Sequence, residues 1–197
     1  MSDKQLERVP ATLAGGLSYG ALPVTGNRSS TNRWCSEGVI ELDDSLHKAD
    51  LLKDGATLWM SYVFFASGEH EHRQGGGIVT LRSEDLKEGI GFSASGKEYD
   101  TAVVLDGKVE KRRIAGTRPN TPILVVGRIT WGKDGQPDSY VPFLVGPDLK
   151  LPEKEGRASL PFNIDQTKIN RLVLSGEGQF DEIRVGATYE SVVGGGK

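Results

Sequence analysis

The chain has 197 residues, a formal net charge of −3 and one cysteine. This length suits a single domain whose core needs no metal or disulfide to hold it together. Charges of both signs are interspersed, so the chain lacks the basic surface that grips nucleic acid. A lone cysteine excludes an internal disulfide, and no stretch reaches the roughly 18 apolar residues of a membrane helix. We therefore expect no nucleic-acid partner and no membrane insertion.

Glycine is abundant at 26 residues, while valine, isoleucine, threonine and aromatic residues recur in short bursts. This composition predicts a mostly β protein with tight turns. We divide the chain into an N-terminal extension (1–12), one domain (13–193) and a linker or artificial tail (194–197). The start of the chain lacks the apolar core of a signal peptide, so a secreted parent protein would make this chain a mature or excised domain.

The first half of the chain predicts ordered segments before the main core. Residues 13–30 are rich in small residues and allow at most one short strand near Leu17 to Tyr19. Residues 38–42 form a predicted strand, and 43–52 can form one short helix. Asp43 or Asp44 could cap this helix, and its apolar contacts would come from Leu46, Leu51 and Leu52.

The most hydrophobic run, 57–66, predicts a central strand because it is β-branched and aromatic with glycine on both flanks. Its core side chains would be Leu58, Trp59, Met60, Tyr62, Phe64 and Phe65. Further strand-length runs follow at regular spacing: 75–83, 89–96, 99–107, 121–132, 139–148, 169–176 and 178–186. Because no helical pattern separates them, the fold class is all-β, with antiparallel strands in a two-sheet sandwich and at most one or two short helices.

Four segments in this order resemble one known family: "GGLSYGALPVTG", "GATLWMSYVF", "ILVVGRITWGKDGQPDSYVPFLVGPD" and "GQFDEIRVGATYESVVG". They are similar to the concanavalin A-like (laminin G-like) jelly-roll domains of bacterial secreted and surface proteins, over about residues 13–193. The resemblance implies a jelly roll whose relatives often bind glycans on the concave sheet or its rim loops. Gly146-Pro147 departs from the pattern, since many relatives have asparagine before this proline.

The stretch "SGEHEHRQGGG" (67–77) raises the question of a metal site. On a strand, His70 and His72 would project from one face. Two ligands are too few for zinc, which takes three or four protein ligands. The stretch follows the core strand and is polar and glycine-rich, so we predict a solvated loop, with a weak metal site or a ligand contact by His70 and His72 as the alternative.

Sugar binding is most plausible around Trp131, because aromatic faces stack on the apolar face of a pyranose ring. The candidate patch adds polar and aromatic groups near this tryptophan, and Trp34 could reach a rim as well. The proposed ligand-binding residues are Trp131, Asp134, Gln136, Asp138, Tyr140 and Trp34, with His70 and His72. Structural packing of Trp131 and Trp34 is the competing interpretation.

The closing segment places Glu177, Asp181 and Glu182 close together. Retaining glycosidases need two carboxylates about 5 Å apart. Asp181 and Glu182 are adjacent, so they face opposite sides of a regular strand, and no catalytic residue is assigned. We expect Glu182 in solvent. Asp181 either caps turns or holds a structural calcium ion, which jelly rolls often carry and which is the one cofactor that the resemblance suggests.

These observations predict a non-catalytic carbohydrate-binding or adhesion module of a larger extracellular or cell-surface protein, with a polysaccharide or glycan as its partner. A structural or protein-binding jelly roll without a sugar ligand is the alternative, and a glycan-cleaving enzyme is the third. The chain contains no G-x-S-x-G elbow, phosphate loop, Cys-x-x-Cys or His-Glu-x-x-His motif.

Overall fold

The computed structural model describes residues 11–13, 15–23, 28–65, 76–95, 98–116, 121–133, 135–152 and 162–194. Its strands are β1 (Ala11–Leu13), β2 (Arg28–Glu41), β3 (Thr57–Phe65), β4 (Gly76–Ser83), β5 (Gly89–Ser95), β6 (Glu98–Leu105), β7 (Lys108–Gly116), β8 (Ile123–Thr130), β9 (Ser139–Leu144) and β10 (Ile169–Gly186). Two short α-helices, α1 (Ser45–Lys48) and α2 (Tyr189–Val193), and one 3-10 turn (Gln166–Lys168) complete the described elements.

The strands form two antiparallel sheets that share β2 and β10. In sheet I the order is β7-β6-β5-β4-β10-β2, and residues 171–175 of β10 pair with β4 on one side and β2 on the other. In sheet II the order is β2-β10-β3-β8-β9, and residues 179–186 of β10 pair with β3. The register shifts between Ser175 and Glu177, where the strand bends from one sheet into the other. Sandwich corners are often made in this way.

The main core lies between the sheets and contains every second side chain of their facing strands. Its buried members include Leu58, Met60, Tyr62, Phe64, Val79, Leu81, Ile90, Phe92, Val125, Ile129, Leu172, Leu174 and Phe180. The three leucines predicted for the segment around α1, Leu46, Leu51 and Leu52, join it. This arrangement confirms the predicted all-β antiparallel sandwich with short helices.

A second apolar cluster covers the outer face of sheet II. Residues 15–23 and α2 pack there against the outward side chains of β3, β8 and β9. The cluster contains Leu17, Leu22, Trp59, Val63, Leu124, Val126, Val141, Phe143, Tyr189, Val192 and Val193. The residues from 15 to 23 are therefore ordered, as predicted, and they contain no strand, which agrees with the prediction of at most one short strand near Leu17 to Tyr19.

Two further differences from the predicted elements concern β10 and the glycines of β4. β10 is one bent strand, whereas the sequence predicted two strands separated at Gly176-Glu177. Gly76 and Gly77 belong to β4, although the predicted loop 67–77 included both, and an added Cβ at Gly77 would approach the Phe180 ring within 2.3 Å. Close ring packing therefore requires glycine at this strand position.

Candidate ligand-binding cleft

Trp131 and Tyr140, two members of the predicted surface patch, lie in the core. Each is 1% exposed. The Trp131 Nε1–H donates to the Leu51 carbonyl oxygen at 2.6 Å, and the Tyr140 hydroxyl donates to the Gly91 carbonyl oxygen at 3.0 Å. A ring in this position stacks on a sugar only if the covering chain moves away, so the structure favours the packing interpretation for Trp131.

The polar members of that patch are separated by burial. Asp138 is 5% exposed, and its carboxylate accepts hydrogen bonds from the Gly132 amide at 2.7 Å and the Ile164 amide at 3.1 Å. Gln136 is exposed on the connection between β8 and β9. Asp134 lies outside the described residues. The carboxylate of Asp138 therefore joins two chain segments. Among the described members of the patch, only Gln136 is exposed to solvent.

Three other predicted ligand contacts lie wholly or partly outside the described residues. His70 and His72 lie outside the described residues, and Trp34 belongs to β2 by its backbone while its side chain is outside the description. Their roles stay predictions.

Asp181 is 5% exposed and fixes the segment that covers sheet II. One carboxylate oxygen accepts from the Leu17 amide and the other from the Glu182 amide at 2.8 Å. Glu182 has a positive φ of 48°, and its carboxylate pairs with the Arg184 guanidinium. Its side chain is 6% exposed, so the expectation of a solvated Glu182 was wrong, because the bulge in β10 turns it toward Arg184. Calcium at Asp181 stays a prediction.

A cleft of about 610 Å³ opens at one end of sheet I. Ligand pockets in proteins have volumes of roughly 300 to 1,000 Å³. The cleft in this domain is lined by the β2–α1 connection, the β4–β5 turn and the 3-10 turn that precedes β10. The lining residues are Leu42, Asp43, Asp44, His47, Ser83, Glu84, Asp85, Thr167, Lys168 and Asn170.

The first wall of the cleft is the β2–α1 connection. Asp43 accepts a hydrogen bond from the Ser45 amide at 2.9 Å, and hydrogen bonding by Ser45 holds the pKa of Asp43 below its usual value. Asp44 is the N-cap residue of α1, but its side chain makes no capping bond. His47 is exposed on α1. The carboxylate of Asp44 can therefore bind a ligand without giving up a helix cap.

The second wall is the β4–β5 turn, which Ser83 and Asp85 organise. The Ser83 hydroxyl donates to Asp85 Oδ1 at 2.7 Å, and the Lys87 amide donates to the same oxygen at 3.1 Å. These bonds, chiefly that from Ser83, hold the pKa of Asp85 below its usual value. Leu86 closes the turn at a φ of 60°. The turn thus presents an ionised carboxylate in a fixed position.

The third wall follows the 3-10 turn. Lys168 Nζ lies 3.0 Å from Asp165 Oδ2, and hydrogen bonding and charge from Asp165 raise the pKa of Lys168. Thr167 adds a hydroxyl. Asn170 adds an amide, and its backbone carbonyl accepts from the Leu42 amide at 2.9 Å, which joins this wall to the first.

The lining groups are suited to hydrogen bonding with a ligand, and two of the carboxylates, Asp43 and Asp85, are poorly suited to act as general acids. Carboxylates, hydroxyls and an amide accept or donate the hydrogen bonds that a ligand rich in hydroxyls requires. A general acid working near neutral pH needs a raised pKa, whereas those of Asp43 and Asp85 are lowered. Within the described ranges, no group of three histidine, cysteine, aspartate or glutamate residues could hold a metal ion.

Sequence reasoning missed this cleft because three distant segments build it. Residues 43–47 were interpreted only as a helix start, and the predicted strand 75–83 ended at Ser83. Pairing of β10 with both β2 and β4 brings these segments together. That pairing joins positions about 130 residues apart, such as Glu41 and Arg171, so no local pattern could indicate it.

No family model matches this chain, and no curated protein matches it. Similar solved structures include mouse laminin alpha1 chain domains LG4-5, with 10% identity, 95% of this chain and 47% of that chain covered, and a TM-score of 0.49. The carbohydrate-binding module CBM66 from Bacillus subtilis has 11% identity, 87% and 93% coverage and a TM-score of 0.44. Sheep galectin-11 in complex with glycerol has 11% identity, 80% and 100% coverage and a TM-score of 0.43.

All three are concanavalin A-like jelly rolls, the fold that the sequence resembles. With identities near 10% and TM-scores below 0.5, these similarities carry no argument about a ligand or a site. The sandwich architecture rests on the strand pairing described above. Among the helices of the described residues, none has the length and apolar character that a membrane span requires.

Proposed function

We propose that this domain is a non-catalytic carbohydrate-recognition module of an extracellular or cell-surface protein and that it binds sugar in the cleft at the end of sheet I. The observation that carries the proposal is a cleft of about 610 Å³ with hydrogen-bonding side chains on three walls, among them the carboxylate of Asp44, which makes no capping bond. The family resemblance of the sequence supports the extracellular setting. The lowered pKa values of Asp43 and Asp85 favour binding over acid catalysis.

Asp44 provides the sharpest test because its side chain makes no helix-capping bond. A glycan array, run with calcium and again with chelator, first identifies a bound sugar. Calorimetry with that sugar should then show that Asp44→Asn weakens binding about tenfold, since a hydrogen bond to a carboxylate contributes roughly 1.5 to 3 kcal/mol.

Asp50→Asn is the matched control. It makes the same chemical change at an exposed carboxylate outside the cleft, and asparagine tolerates the positive φ of 58° at this position. Equal loss in both variants would point to a general charge effect instead of a cleft contact. Release of reducing ends from the bound sugar would show that the domain cleaves glycans and would contradict the proposed non-catalytic function.

Silence across the array under both conditions would contradict sugar binding and favour a protein-binding domain. The structure has one feature suited to that second function. Val39 and Ile40, adjacent on β2, are 46% and 41% exposed. Apolar side chains on both faces of one strand offer a surface for pairing with another protein.

A further inference from the structure

Arg82 is a buried cation on the outer face of sheet I. Val79 and Leu81 of β4 point into the core, so Thr80 and Arg82 point outward. The Arg82 Nε–H donates to Thr80 Oγ1 at 2.9 Å, which confirms that the two side chains share this face. Arg82 is only 5% exposed, and burial lowers its pKa, although the nearby charge of Glu37 opposes that shift.

A second arginine lies directly opposite on the neighbouring strand. The register of β4 and β10 pairs Arg82 with Arg171, and Arg171 also points outward. Arg171 Nη2 lies 3.0 Å from Glu41 Oε1 and 3.6 Å from Glu84 Oε1. Glu41 and Glu84 are thus engaged by Arg171, and Glu37 acts on Arg82 through its charge without forming an ion pair. None of the ion pairs among the described residues includes Arg82.

This arrangement leaves Arg82 without a direct anionic partner among the described residues. Like charges directly opposite each other on neighbouring strands repel. A buried charge without an ionic partner adds a further cost, because the hydrogen bond to Thr80 offsets only part of the lost hydration of the guanidinium. The planar guanidinium offers two parallel N–H groups that fit a carboxylate or a sulfate, and an arginine remains protonated even when its pKa is lowered.

We propose that Arg82, with Arg171 beside it, binds an oxyanion, either a carboxylate or a sulfate group, on the outer face of sheet I. This arginine pair lies next to the cleft, because Glu84 lines the cleft and pairs with Arg171. The ligand class that fits is a polysaccharide with neutral and acidic units, the neutral unit against the carboxylates of the cleft and the acid group at Arg82. That the anion belongs to a sugar rests on the proposed function.

The test begins with sulfate alone. Titration of sodium sulfate into the isotopically labelled protein should shift the NMR signal of the Arg82 Nε–H, and sodium chloride at equal ionic strength should not. Calorimetry then compares hyaluronan hexasaccharide with its methyl ester and keratan sulfate oligosaccharide with its desulfated form. We expect the charged member of at least one pair to bind at least tenfold more tightly than its neutral partner.

Arg82→Gln should abolish that preference and leave binding of the neutral member unchanged. Lys53→Gln, which removes an exposed cation elsewhere, should keep the preference. If Arg82→Gln does not fold, Arg171→Gln replaces it and should reduce the preference in the same direction.

The outcomes separate this proposal from the proposed function. No response to sulfate and equal binding of charged and neutral sugars would overturn the oxyanion site and leave sugar recognition standing. A sulfate response at Arg82 without binding of any oligosaccharide would support the site and contradict sugar recognition.

Discussion

In this domain, individual buried polar side chains hold the long connections in place through hydrogen bonds to the backbone of other segments. Trp131 and Asp138 lie on either side of the β8–β9 connection and hold different neighbours. The indole of Trp131 donates to Leu51, next to α1, whereas the carboxylate of Asp138 accepts from Gly132 and Ile164. By their chemistry alone, a tryptophan and an aspartate near strand ends are as well suited to a sugar-binding rim as to a structural role. Burial alone decides between the two roles, and it depends on what packs over these residues.

Replacement of Asp138 by alanine should lower the free energy of unfolding by roughly 2 to 4 kcal/mol, because two amide donors lose their acceptor in a buried place. Urea denaturation measures the change. Asp148→Ala is the control, since this aspartate is exposed and should change stability by less than about 0.5 kcal/mol. Equal effects of the two substitutions would mean that the amides of Gly132 and Ile164 find water instead.

At the scale of elements, β10 determines the architecture because it belongs to both sheets. Its bend lies at Gly176, which has a φ of 103°. A Cβ at this position would lie 2.1 Å from the Gly76 carbonyl oxygen, so the two strands approach too closely there for any side chain. The glycine thus provides both the backbone conformation and the space that the bend requires.

Gly176→Ala should therefore destabilise the domain by at least about 2 kcal/mol, from backbone strain together with the displaced strand. Gly146→Ala is the matched control, because its Cβ would meet only the end of the Asp148 side chain, at 3.2 Å. Thermal unfolding of both variants checks the difference. Identical midpoints would show that β10 can straighten at little cost.

The sequence predicts strands where apolar residues are dense and fails where polar residues form strands. The core run at 57–66 matches β3 within one residue. By contrast, only 38–42 was predicted from β2, which extends from Arg28 to Glu41, because its first half is polar. The helix α2 was also missed, although Thr188 and Ser191 form a capping box. The cleft could not be predicted, since pairing between distant strands creates it.

On the scale of the whole molecule, residues 15–23 and α2 close the outer face of sheet II through two tyrosines. The Tyr19 hydroxyl donates to the Val145 carbonyl oxygen at 2.7 Å, and the Tyr189 hydroxyl donates to the Leu149 carbonyl oxygen at 2.8 Å. Burial, with a contribution from Asp148, raises the pKa of both, that of Tyr189 from 10.0 to about 12.

A tyrosine with a higher pKa in the folded state keeps its proton more tightly there than in the unfolded chain. Its contribution to stability is complete below pH 10 and declines as the pH rises from 10.0 to about 12. We expect the urea midpoint of the wild type to fall more steeply over this range than that of Tyr189→Phe. Parallel declines in the two proteins would assign alkaline unfolding to other groups.

The sharing of β10 between both sheets also bears on how the domain is made. Neither sheet can be completed until this strand has left the ribosome, since it pairs with β2, β3 and β4, all from the first half of the chain. The bond from Leu17 to Asp181 spans 164 positions. Such long-range contacts slow folding, because distant segments lose conformational entropy when they meet, before their contacts stabilise the chain. β2, β3 and β4 therefore lack this pairing partner until β10 has been synthesised.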